Sequence, residues 1–153
     1  MASRGSVKRI HKTIPKNTSM KSWMDYRAIT SKNSPQYKLQ RQKNVYTDKE
    51  GFRRIGDDYI IAVGSFYTKI VGTRVEIKLS SGSVFTAIVG DCKADRHTDK
   101  LHQKHISDGS MLEFLVDSRS LNKNIRKMGD CSFANDDKFK GEVVSIVILE
   151  EEE

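Results

Sequence analysis

The stretch TRVEIKLSSGSVFTAIVGDC (residues 73–92) decides the fold class. Val75, Ile77 and Leu79 alternate with polar residues, which is the period of a half-buried strand. Ser80-Ser81-Gly82-Ser83 then supplies turn chemistry, and a second apolar run begins at Val84, so the stretch predicts a β-hairpin. Strand-length runs continue on both sides: YIIAVG (59–64), MLEFLVD (111–117) and EVVSIVIL (142–149). Turn signals at Asp108-Gly109, Gly129-Asp130 and Lys140-Gly141 separate them. In SRSLNKNIRKM (118–128) the apolar residues fall at 121, 125 and 128, which predicts a short helix. Residues 57–153 therefore read as an all-β domain of five or six strands with one short helix. At this size, closing the sheet into a barrel is the economical way to remove unpaired edges.

Two acids sit awkwardly in this pattern. One apolar run ends in Gly90-Asp91, and the next carries Glu113 between Leu112 and Phe114. Alternation puts Met111, Glu113, Leu115 and Asp117 on one face of that strand, and Leu112, Phe114 and Val116 on the other. The second set is the expected core face, which leaves Glu113 and Asp117 on an open one. Such acids need either a hydrogen-bonded turn or a chemical role. The triplet Gly-Asp-Cys occurs at 90–92 and again at 129–131. It is either a chance echo or the mark of two pseudo-symmetric halves, in which each Asp accepts backbone N–H groups.

With 153 residues there is room for one domain with a sizeable core plus an extension. No apolar run approaches the ~20 residues of a membrane span. The start MASRGSVKRIHKTIPK is basic with no apolar stretch behind it, so no secretory signal peptide is visible. The two cysteines, Cys92 and Cys131, show neither metal-ligand spacing nor a disulfide-rich pattern, and read as small half-buried thiols, with a Cys92–Cys131 bridge as the alternative. The net charge of +7 is uneven: residues 1–56 hold 14 Lys/Arg against 3 Asp/Glu (+11), and residues 57–153 hold 13 against 17 (−4). Residues 1–56 therefore read as a basic, partly flexible arm. Within it a short helix near 21–30, capped by Ser19 or Ser22, is expected, Pro35 breaks any longer helix, and Trp23 and Tyr26 anchor the arm on the domain. Such an arm attracts polyanions of any kind, while the acidic body argues against nucleic acid as the partner.

The loop between the acids carries His97, His102 and His105 near Cys92, Asp95 and Asp99. This is no recognised ligand spacing, so no metal or other cofactor is assigned. No phosphate-binding glycine loop, nucleotide fingerprint or Ser-His-Asp arrangement is present.

Three segments carry a resemblance. YIIAVGSFYTKIVGTRVEI is similar to the opening strands of the three-aspartate (3D) domain, with Val71-Gly72-Thr73-Arg74-Val75 as the match. IVGDC resembles that family's strand ending in Asp-Thr-Gly-Gly, and DGSMLEFLVDS resembles its segment bearing the catalytic Asp. The body, over roughly residues 58–149, thus looks like the double-psi β-barrel that this family shares with membrane-bound lytic transglycosylase A. The chain as a whole resembles small phage or prophage proteins that join such a barrel to a basic arm. The resemblance implies a six-stranded double-psi barrel that cleaves MurNAc–GlcNAc bonds of peptidoglycan without water. A single carboxyl general acid/base with a raised pKa protonates the glycosidic oxygen, then takes the proton of the sugar's C6 hydroxyl, giving a 1,6-anhydro product. It places Glu113 on the catalytic Asp, Asp91 as partner or orienter and Asp117 as a third acid. Lys93, Asp95 and His105 then become candidates for substrate binding. Peptidoglycan glycan strands are the implied partner, with anionic wall polymers attracted through residues 1–56. Action at the cell wall would need delivery by a phage or another non-classical route. The sequence departs from the family at Gly64, where its first aspartate is expected, and at Cys92-Lys93-Ala94, which replaces Gly-Gly. The competing expectation is a non-catalytic barrel, a structural or wall-binding part of a phage or secretion assembly.

Overall fold

In a computed structural model, residues 6–151 are described. In chain order they form β1 (Val7–Lys12), β2 (Lys21–Asp25), α1 (Pro35–Gln40), β3 (Val45–Thr47), β4 (Arg53–Ile55), β5 (Asp58–Val63), β6 (Arg74–Leu79), β7 (Val84–Cys92), β8 (Leu112–Val116), α2 (Lys123–Met128) and β9 (Val143–Glu151). The fold is all-β: one mixed, nine-stranded sheet with short helical pieces between strands. The five strands from β5 onward, without α2, match the five apolar runs of the sequence. The β6–β7 hairpin turns where Gly82 takes φ 97°, a left-handed conformation that glycine adopts without a Cβ penalty.

The connectivity has an internal repeat. β6 and β7 are antiparallel neighbours, and β7 then runs parallel to β5. In the same way β9 and β1 are antiparallel neighbours, and β2, next along the chain after β1, runs parallel to β8. β5 is antiparallel to β8, and β6 to β9, so the two sets of strands meet at like positions. The Gly-Asp-Cys echo is not part of this repeat. Asp91 lies within β7, whereas Asp130 follows Gly129, the left-handed C-cap of α2, and caps a 3-10 turn by accepting from Ser132 N at 2.8 Å.

The segment expected as a partly flexible arm supplies β1 to β4 of the sheet. Lys21–Asp25 is a strand rather than the start of a helix, because its partner β8 is remote in sequence and invisible to local propensity. Lys21 is fully buried; its Nζ donates to Ser19 O (2.7 Å), Gly141 O (2.6 Å) and Ser132 Oγ (3.2 Å). No helix runs through Pro35, as expected; it opens α1, sitting in the first turn, where its missing N–H costs nothing, behind the Ser34 cap. Trp23 and Tyr26 do pack on the body, against the two apolar clusters respectively.

Those clusters lie on opposite faces of the β5–β7–β8 region. The larger contains Ile61, Val63, Val89, Leu112, Phe114 and Val116, with Phe52, Tyr59 and Phe139 packed edge-to-face around them. The smaller is Leu39, Ile60, Ala62 and Leu115, covered by α1 and the chain after β2. The face assigned to Glu113 is closed at Leu115, which is wholly buried, and open at Glu113 itself, which is half-buried and lines a cavity.

Candidate active site: two carboxyls flanking Ala62

Strand register brings the two sequence-flagged acids together. Ala62 of β5 is opposite Asp91 on β7 and opposite Glu113 on β8, and Glu113 is in turn opposite Ser22 on β2. Residues opposite one another project on the same face, so Asp91, Ala62, Glu113 and Ser22 form one row across four strands. Two interstrand spacings put the Asp91 and Glu113 Cα atoms about 9–10 Å apart. Ala62 between them is 1% exposed and packs in the smaller cluster.

Simple alternation does not place Asp91 there. Ile88 packs in the smaller cluster and Val89 in the larger, so alternation through Gly90 would turn Asp91 toward the main core. The β5–β7 register slips by one residue between Ile61/Ala62, with Val89 opposite Ile61 and Asp91 opposite Ala62. Gly90 is the extra residue of this bulge, and the bulge turns Asp91 onto the face of Glu113. Only glycine fits: a Cβ there would stand well under 3.0 Å from Ile60 Cγ2 and 3.1 Å from Leu39 Cδ2.

Asp91 and Glu113 line one open cavity of about 250 Å³, with Cys92, Lys93, Ala94, His97 and His105. Burial raises the Asp91 pKa above the ordinary carboxyl value, and the nearby Glu113 charge adds to it; hydrogen bonds from Cys92 N (2.9 Å) and the Gln36 side chain oppose the shift. Glu113 accepts from Ser22 Oγ at 3.1 Å, and Ser22 Oγ also meets Ser110 Oγ at 3.0 Å. Lys93 is 8% exposed and its Nζ has no hydrogen-bond partner among the described residues. Burial lowers its pKa, opposed by the charges of Glu113, Asp108 and Asp91. The two histidines arrive through Ile106 N, which donates to His97 O at 2.9 Å and brings the rings to 5.9 Å. His105 Nδ1 accepts from Ser107 N at 3.2 Å, so in the neutral ring Nε2 carries the proton.

The remaining predicted residues stand elsewhere. Asp117 lies past the end of β8, where it caps a 3-10 turn and is clamped by Arg119 through Nε (2.9 Å) and Nη2 (2.8 Å). Asp95 accepts from Ser65 Oγ at 2.6 Å and does not line the cavity. His102 binds Thr98 Oγ1 through Nδ1 at 2.9 Å, apart from the His97–His105 pair. Among the described residues no three His, Cys, Asp or Glu side chains converge as a metal site, and both cysteines are free thiols. Gly64 stands where the resemblance expects an aspartate, and its backbone explains the glycine: a Cβ would overlap the His102 carbonyl. Sequence reasoning missed Ser22, Gln36 and Ala62 as site residues; each reaches the acids through long-range pairing that no local pattern encodes.

No family model, curated protein or solved structure matches the chain. Among the described residues no helix is long and apolar enough to cross a membrane.

Proposed function

We propose that this chain cleaves glycan strands of the peptidoglycan type by proton transfer at the Asp91–Glu113 pair. One observation carries the reading: two carboxyls from different strands share a single open cavity with a buried ammonium and two imidazoles. Cleavage without water needs one carboxyl whose pKa is raised, so that it can give and then retake a proton. The burial of Asp91 supports giving it the proton, which it would hand to the departing glycosidic oxygen. The resulting Asp91 carboxylate then takes the proton of the sugar's C6 hydroxyl as that oxygen bonds to C1; the glycosidic bond breaks and no water is consumed. Glu113, steadied by Ser22, stabilises the positive charge developing on the ring, and Lys93 balances the two carboxyls once both are ionised. The resemblance gave the proton-carrying role to Glu113; the raised pKa of Asp91 supports giving it to Asp91.

The pairing repeat supports the double-psi reading of the fold. Taken as two parts of one rung, β1 and β2 would match the long β7, and the ring β8-β5-β7-β6-β9-(β1+β2) would have six members. A second reading, a wall-binding barrel without turnover in a phage or secretion assembly, has one observation in its favour. The cavity of about 250 Å³ falls below the roughly 300–1,000 Å³ of most ligand clefts. Digestion of purified glycan strands separates the two. Anhydro-muropeptides detected by mass spectrometry from wild type, and absent with Asp91→Asn and Glu113→Gln, support cleavage; their absence from wild type supports the binding module.

A further inference from the structure

A second pocket, of about 300 Å³, lies between the chain after β2 and α1. Tyr26 and Tyr37 supply its aromatic walls, and no carboxylate lines it. Arg27 is committed to Asp25, with Nε 2.9 Å from Oδ1, but Lys32 and Arg41 make no ion pair among the described residues. Arg41 stacks on Tyr37 at 4.7 Å from the ring centroid, and Arg53 on Tyr26 at 4.0 Å.

Gln40 is the most informative residue here. It is 5% exposed, and its Nε2 has no hydrogen-bond partner among the described residues. Its amide cannot flip to find one, because Arg53 Nε donates to Oε1 at 2.9 Å and Arg53 Nη2 donates to Gln40 O at 3.0 Å. A buried donor without an acceptor is destabilising, so a fixed, unpaired NH2 in a pocket wall that also carries two unpaired cations leaves this region short of an acceptor. The aromatic walls and the Ile29 side chain suit the apolar face of a sugar ring, and the cations suit a carboxylate.

The same helix serves both sites. Gln36 reaches Asp91, while Tyr37, the next residue, and Gln40, one turn on, line the second pocket. One turn is about 5.4 Å of helix rise, so a single turn of α1 carries contacts to both cavities. We infer that the Tyr26–Arg41 pocket binds a carboxylate-bearing sugar residue of the glycan cleaved at Asp91 and Glu113. The inference rests on that cleavage reading for its substrate, but its binding chemistry is tested without turnover.

The full chain is titrated at low salt with N-acetylmuramic acid, glucuronic acid and neutral N-acetylglucosamine, followed by backbone chemical shifts. At least one acid is expected to bind tenfold or more tightly than the neutral sugar, with shifts centred on Tyr37 and Arg41. Muramic acid alone identifies a lactyl carboxylate as the ligand group; glucuronic acid alone identifies a ring carboxylate. Lys32→Gln with Arg41→Gln removes two exposed charges and is expected to weaken binding tenfold or more at unchanged Tm, while Lys78→Gln with Lys127→Gln, two exposed charges outside both cavities, leaves it unchanged. Equal binding of the neutral sugar, undiminished binding by the double variant, or no binding of either acid overturns the proposal. Acid binding with no glycan cleavage by wild type removes the cleavage reading and keeps the pocket; cleavage without acid binding does the reverse.

Discussion

Replacing Gly90 with alanine tests whether the β7 bulge sets the site. The added Cβ would lie well under 3.0 Å from Ile60 Cγ2 and 3.1 Å from Leu39 Cδ2. Ile60 is wholly buried and Leu39 nearly so, and a β-branched side chain cannot swing its Cγ2 aside without leaving its rotamer. Overpacking of this kind costs about 1–3 kcal/mol. For a chain of this size that corresponds to a Tm drop of roughly 2–12 °C, at about 2–4 °C per kcal/mol. Ile60→Leu keeps the volume but removes the Cγ2 branch, and such a swap costs less than about 1.5 kcal/mol. The double variant is therefore expected to be more stable than the sum of the single costs predicts, by about 0.5 kcal/mol or more. Urea unfolding with a constant slope measures all four corners of the cycle. If Gly90→Ala alone changes stability by under about 0.5 kcal/mol, as surface substitutions do, or if the costs simply add, the bulge does not hold Asp91 where it stands.

Lys21→Met keeps the bulk of the side chain and removes the donor that satisfies Ser19 O, Gly141 O and Ser132 Oγ. Ser19 O keeps a bond from Ser132 Oγ at 3.0 Å, and the other two acceptors are half-buried, so the expected loss in urea unfolding is about 1–3 kcal/mol, that of one acceptor left unsatisfied; a near-neutral outcome would show that the N-terminal strands are not integral. Asp91→Asn is expected to stabilise the chain at neutral pH. Burial holds the folded-state pKa of Asp91 above that of the unfolded chain, so stability falls as pH rises through the folded value. The Asn variant lacks this cost, and its advantage should vanish below the unfolded value of about 3.9. Stability curves between pH 3 and pH 8 test this, and an advantage that grows toward low pH would reverse the sign.

The body strands were legible because alternation, β-branched residues and glycine turns all agree over 58–149, as at Val75, Ile77, Leu79 and Gly82. The N-terminal strands were not. VKRIHK in β1 exposes most of its residues, and its strand character comes from pairing with β9 rather than from its own pattern. Part of the charge read as a basic arm is likewise tied to the fold, inside it or at its surface. Lys21 is buried, Arg53 binds Gln40, Arg54 pairs with Asp48 and Arg9 with Glu76. At the site, alternation alone put Asp117 beside Glu113, yet the strand ends at Val116 and Asp117 turns to its cap and to Arg119. It also could not see that Gly90 is a bulge. The Asp91–Glu113 pairing came from the resemblance, and the one-residue slip opposite Ala62 supplies its physical basis.

The coupling of the two carboxyls can be measured without any substrate. Carbon-detected NMR titration of the Asp91 side chain in wild type and in Glu113→Gln reads it directly. The account predicts a wild-type pKa above the usual aspartate range that moves down when the Glu113 charge is removed. An ordinary aspartate titration, indifferent to Glu113, would mean that the two acids do not share a cavity.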